Sequence, residues 1–173
     1  MRGKNNKGFS YVEMLMVLAV IAIMIGMVTI SVGLIGRTNT RRTSEKLETL
    51  ANKARTSAMT QGTNKGYLCV AEYRGAVYAF VGSKIAEDNP AEVKQKGIKI
   101  CSNDMEIRMP TDSDPGSGSF TSDGLVHRIS FKQSTGGLAN GVNLIEIIVR
   151  KKGTSKTSSF SIYKQTGKIN RIN

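Results

Sequence analysis

Twenty-three consecutive residues, Met14 to Gly36, carry no charge: MLMVLAVIAIMIGMVTISVGLIG. As a helix rising 1.5 Å per residue, such a run is about 35 Å long, enough to cross a hydrocarbon core of about 30 Å. Ahead of it stands MRGKNNKG, with Arg2, Lys4 and Lys7 and no acid. Such a leader stays on the cytoplasmic side and sends the remainder of the chain outward. Arg37, Arg41 and Arg42 follow the run and blur the asymmetry, so the orientation rests on the leader. A secretory signal peptide has an apolar core of about 7–15 residues before a small-residue cleavage site. Ser31-Val32-Gly33 fits such a site, but the run is too long and continues as a helical pattern. A signal-anchored extracytoplasmic domain is the other plain reading.

Neither reading accounts for Glu13, which follows Phe9, Ser10, Tyr11 and Val12 at the edge of the run. A carboxylate among apolar residues is costly without a partner, which makes it a functional candidate. A cut after Gly8 would create an amine on Phe9, mostly charged at neutral pH. Phe9 and Glu13 are i and i+4 and share a helix face.

Lys7-Gly8-Phe9-Ser10-Tyr11-Val12-Glu13 and the apolar run resemble the N-terminal signature of type IV pilins and type II secretion pseudopilins. The resemblance implies cleavage by a prepilin peptidase between Gly8 and Phe9, methylation of the Phe9 amine, and use of Glu13 in filament assembly against a neighbour's terminal amine. Many major pilins carry a Pro inside this helix, and this chain has none between Phe9 and Gly62. The implied partners are other pilin or pseudopilin subunits, the peptidase and an assembly machinery in the cytoplasmic membrane. The implied location is that membrane, crossed once with the C-terminal domain outside, and later a surface or periplasmic filament.

Past the run, Leu47, Leu50, Ala51, Ala54 and Ala58 recur at helical spacing, opposite Lys46, Glu48, Lys53 and Arg55. One helix from Phe9 to about Gln61 would be roughly 80 Å long. Thr43 or Ser44 is placed to cap a local restart, and Gly62 to end the helix in the left-handed region.

Beyond it the period becomes two. Tyr67-Tyr73 and Ala76-Gly82 flank Arg74-Gly75 as a hairpin. Further strands are expected at Gly97-Cys101, Glu106-Met109, Leu125-Lys132, Val142-Lys151, Thr157-Lys164 and Lys168-Ile172, with a turn or two of helix at Asn89-Lys96 and a loop from Pro110 to Gly124. The expected fold class is α+β: a long N-terminal helix, membrane-spanning in its first half, packed on one antiparallel sheet. The expected segments are a leader at 1–8, a membrane or filament-core half at 9–36, an amphipathic half at 37–61 and a β-rich domain at 62–173. Ala54-Arg55-Thr56-Ser57-Ala58, Phe120-Thr121-Ser122-Asp123-Gly124 and Ile162 to Ile169 also resemble segments of GspH/FimT-type minor pilins, which include DNA-uptake components.

Several chemistries are disfavoured. Two Cys and one His cannot make a four-ligand zinc site from nitrogen and sulfur alone. There is no HExxH, P-loop or GxSxG, and His127 sits in an apolar strand, so neither an enzyme nor a cofactor is expected. Asp112, Ser113, Asp114, Gly116 and Asp123 could ligate calcium but lack the EF-hand pattern, and no metal is expected. Cys69 and Cys101 are either a disulfide or two buried thiols. The net charge of +12 falls to +9 without the three leader cations. No acid follows Glu146, while Arg150, Lys151, Lys152, Lys156, Lys164, Lys168 and Arg171 do. Gathered on one face, they would attract phosphates, so DNA is a candidate partner.

Overall fold

The computed structural model describes residues 10–110, 118–121, 124–139 and 143–172, without the side chains of 26–37. The leader, Gly8, Phe9 and the Asp112–Asp114 loop lie outside the described residues, as does Asp123. The chain divides into two units, Met1–Gly36 and Arg37–Asn173.

Helix α1 is unbroken from Tyr11 to Gln61, 51 residues. Ser10 starts it with a capping box. The Val12 amide donates to Ser10 Oγ at 3.3 Å, and the Ser10 amide donates to Glu13 Oε2 at 2.9 Å. Two backbone donors at the helix start are thereby satisfied by the sequence Ser-x-x-Glu. No restart occurs at Thr43 or Ser44. Both are buried, Thr43 Oγ1 donating to Met105 Sδ at 3.4 Å. Gly62 ends the helix at φ 96° and ψ 159°, a positive φ but not the left-handed helical cap that was expected.

Among the described residues, no helix is long and apolar enough to cross a membrane. This corrects the expected membrane-spanning first half at 9–36. It overturns with it the single-pass placement in the cytoplasmic membrane and the reading of the chain as a prepilin-type filament subunit assembled through an embedded helix. The competence-pilin and signal-anchor readings depended on the same span and fall with it.

In the second unit, Leu47, Ala51, Ala54 and Ala58 of α1 are wholly buried, with Leu50 packed beside them. Two antiparallel sheets complete the core, where one was expected. The first has the order β3-β2-β1-β6: β1 Tyr67–Tyr73, β2 Ala76–Gly82, β3 Ile98–Ser102 and β6 His127–Ser130. The second has the order β5-β4-β7-β8-β9: β4 Met105–Met109, β5 Ser119–Phe120, β7 Leu144–Lys151, β8 Thr157–Tyr163 and β9 Ile169–Ile172. The chain changes sheets at Asn103-Asp104, because β4 pairs with β7 instead of folding back on β3.

Strand alternation decides which side chains meet the helix. Leu68, Val70, Val77 and Ala79 face the main core. Cys69, Ala71, Tyr78 and Phe80 face the other way, into a second cluster with Ile85, Val126 and Val93. Val93 belongs to α2, Pro90–Lys96, which is capped by Asn89 accepting from the Glu92 amide at 3.3 Å. From the second sheet, Ile107, Met109, Ile145, Ile147, Val149, Phe160 and Ile162 fill the main core. The hairpin between β1 and β2 turns at Arg74 and Gly75, both at positive φ, as a tight two-residue turn requires.

Candidate functional site

Three groups of residues on the described surface call for a partner or a role. The first is the start of α1. Met14, Leu15, Met16, Val17 and Leu18 are all exposed, from 49% for Leu15 to 65% for Met16. Successive helical residues turn by about 100°, so these five sweep a full circle. Val20, Ile21, Ile23, Met24 and Ile25 continue the pattern. Glu13 is the one acid here, and its carboxylate is engaged by the Ser10 amide. A soluble helix normally keeps a polar face, and one apolar all round is normally buried.

The second group is the seven C-terminal cations, three of which are paired with acids of this chain. Arg150 is held by Glu106, its cross-strand neighbour, through Nε at 2.7 Å and Nη2 at 2.6 Å. Its guanidinium lies over the Phe120 ring at 4.3 Å. Lys152 Nζ donates to Asn103 Oδ1 at 2.6 Å and lies 3.4 Å from Glu72, and the Lys152 amide donates to the Asp104 carbonyl. This lysine thus stitches the β7–β8 turn to the point where the chain changes sheets. Arg171 turns towards α1, onto Glu45 and Glu48. Lys151 and Lys156 sit at one end of β8, Lys164 and Lys168 at the other, separated by seven residues of strand, about 20 Å.

The third group surrounds a surface cavity of about 390 Å³ at the β8–β9 turn. It is lined by Asn143, Tyr163, Lys164, Gln165, Thr166, Lys168 and Asn170. Its frame is closely tied. The Leu138 amide donates to the Lys164 carbonyl at 2.8 Å, the Lys164 amide to Asn143 at 3.0 Å, and the Gly167 amide to Tyr163 at 2.8 Å. Gly167, at φ 61°, backs onto the Gly136 carbonyl, where no Cβ would fit. Sequence reading placed Lys164 and Lys168 among phosphate contacts but did not single out Asn143, Gln165 or Asn170. The Thr166-Gly167 turn was the available signal, since it brings the ends of β8 and β9 together.

Cys69 and Cys101 are unbridged and buried, one in each apolar cluster on opposite faces of the first sheet. Burial raises both thiols, Cys101 to about 12, where the nearby carboxylates of Asp104 and Glu72 add to the effect. His127 is buried, with Nδ1–H donating to the Met109 carbonyl at 3.0 Å, which joins the two sheets. Among the described residues, no group of three His, Cys, Asp or Glu side chains is placed to hold a metal.

No family model, curated protein or solved structure matches this chain. The resemblance to pilins therefore rests on the motif residues alone.

Proposed function

We propose that this chain is a non-catalytic assembly subunit whose α1 N-terminal segment is buried among apolar helices of other protein subunits. The observation that carries the reading is the full circle of exposed apolar side chains over Met14–Ile25. A single partner helix covers one stripe of about 100°, so an all-round apolar segment calls for several neighbours, as in a bundle. Subunits with an equally apolar helix are the natural partners. Glu13 lies at the edge of this surface, where a neighbour's cation could compete with the Ser10 amide for its carboxylate.

DNA is the less favoured partner. Arg150, Lys152 and Arg171 are engaged by acids of this chain, and the other four cations divide between the two ends of β8.

Sedimentation and native mass spectrometry of the full chain test the proposal. Discrete oligomers are expected, dissociating when Leu15 and Leu18 are both changed to Glu. A monomer at tens of micromolar, or oligomers indifferent to those changes, would overturn it. Salt-sensitive binding of a DNA duplex by such a monomer would put the DNA reading in its place.

A further inference from the structure

A second cavity, of about 290 Å³, opens between α1 and the point where the chain changes sheets. It belongs wholly to the second unit and is independent of the assembly proposal. Its volume is just below the roughly 300–1,000 Å³ typical of small-molecule sites, which suits a small ligand. Ile100, Cys101 and Met105 make its floor, and all three are buried members of the main core. Arg42 and Lys46 line it from α1, and Asp104 lines it from the β3–β4 turn. These three charged side chains are exposed, and none is ion-paired among the described residues. The nearby acids of α1 are taken elsewhere: Glu45 by Arg41 and Arg171, and Glu48 by Arg171. Arg42 and Lys46 are i and i+4, so they share a helix face, where like charges repel. After burial, which acts first, Asp104 raises the Cys101 thiol and Lys46 lowers it, so charges of both signs act on the cavity floor.

Opposite charges that share a cavity yet stand beyond ion-pair distance leave room for a ligand between them. We propose that this cavity binds a free α-amino acid with a hydrocarbon side chain. The ligand's carboxylate meets Arg42, whose planar guanidinium presents two parallel donors, with Lys46 one turn further along. Its ammonium meets Asp104, and its side chain lies on the floor. A zwitterion answers both signs of charge at once. A simple anion leaves Asp104 unmatched, and a simple cation leaves Arg42 and Lys46 unmatched. The walls are tied before any ligand arrives. Thr43 Oγ1 donates to Met105 Sδ at 3.4 Å, which holds the helix to the floor. The Lys152 amide donates to the Asp104 carbonyl at 2.9 Å, and Lys152 Nζ to Asn103 Oδ1 at 2.6 Å, which hold the turn. Preset walls lower the ordering cost of binding.

The experiment is a calorimetric titration of the full chain with L-leucine. The comparison probes are 4-methylpentanoate, which lacks the ammonium, 3-methylbutylamine, which lacks the carboxylate, glycine, which lacks the side chain, and inorganic phosphate. Saturable leucine binding with a Kd below about 1 mM is expected, with each comparison probe at least about tenfold weaker. Asp104→Asn should abolish the preference over 4-methylpentanoate, and Arg42→Gln the preference over 3-methylbutylamine. Both side chains are exposed, so each variant keeps the fold and loses one charge. A general loss of structure does not produce that crossed pattern. Equal affinity for leucine and any comparison probe, preferences unchanged in the variants, or no saturation overturns the assignment.

Discussion

Arg171 on β9 donates from Nη2 to the Glu48 carboxylate on α1 at 2.7 Å, joining residues 123 positions apart in sequence. Its Nη1 also reaches Glu45 at 3.2 Å, and Arg41 holds the same carboxylate from the preceding turn. The outermost strand of the second sheet is thereby fastened to the helix by charge as well as by the apolar contact of Ile169.

Loosening this clasp should be visible in β9 first. Arg171→Ala is expected to speed amide exchange in β9 and the adjoining half of β8 while leaving β4 and β7 protected. The groups are exposed, so the effect should be small and should shrink in high salt. Hydrogen exchange at low and high ionic strength checks it.

The same clasp has a pH dependence of known sign. Hydrogen bonding from Arg41, with the Arg171 charge in support, holds Glu45 below the ordinary carboxylate value. A carboxylate lowered on folding contributes stability above its unfolded value, near 4, and loses it as pH falls through the lowered folded value. Protection of the β9 amides, relative to their intrinsic exchange rate at each pH, should therefore fall below about pH 4. Glu45→Gln should flatten that step.

Gly167 and Gly153 provide a controlled pair. Both have positive φ, 61° and 72°, so alanine is strained at either. Only at Gly167 does a Cβ also meet backbone, the Gly136 carbonyl, whereas nothing lies within 4 Å at Gly153. Gly153→Ala should cost about 1 kcal/mol, and Gly167→Ala at least about 1–2 kcal/mol more. Denaturant midpoints at a constant m-value measure the difference.

The thiols should be silent in the folded protein. Cys101 is raised to about 12 by burial first and by Asp104 and Glu72 next, against an ordinary value of about 8.5. At pH 8 a disulfide reagent should label neither Cys69 nor Cys101 until the chain is unfolded, when both react. The raised thiols contribute stability that is complete below the unfolded value and declines as pH rises from about 8.5 towards 12.

Ser10→Ala removes one half of the capping box and should cost about 0.5–2 kcal/mol of helix stability at that end. Faster amide exchange near Val12 and Glu13, with the second unit unchanged, is the expected outcome.

The strands were legible where their own sequence decides them. Tyr67–Tyr73 and Ala76–Gly82 have their bounds written in a two-residue turn and in alternating side chains, and the Leu47–Ala58 face follows from spacing alone. The division into two sheets was not legible. It depends on β4 choosing β7, about forty residues later, over the adjacent β3, and no local preference encodes that pairing. Glu13 shows a different limit. Its charge among apolar residues points outward to a partner, whereas Ser10, three positions earlier, makes it one half of a capping box. The cations show a third limit: counting Lys and Arg after the last acid ignores the acids that the fold returns to three of them from α1, β1 and β4. The cavity at the β8–β9 turn has no local signature, because Asn143, Tyr163 and Asn170 become neighbours only once β7, β8 and β9 lie side by side.

The stripe of Leu47, Ala51, Ala54 and Ala58 has a consequence for how the molecule is made. A helix can form within about a microsecond from local contacts, but every strand that covers this stripe comes later in the chain, the last more than a hundred residues on. Antiparallel pairing over such separations is slow, because the loops must close before the contacts reward them. The stripe therefore waits in water, and whatever meets it during that interval competes with the chain's own sheets. The yield of folded protein should thus depend on concentration and on shielding of the nascent helix, even where the finished fold is stable.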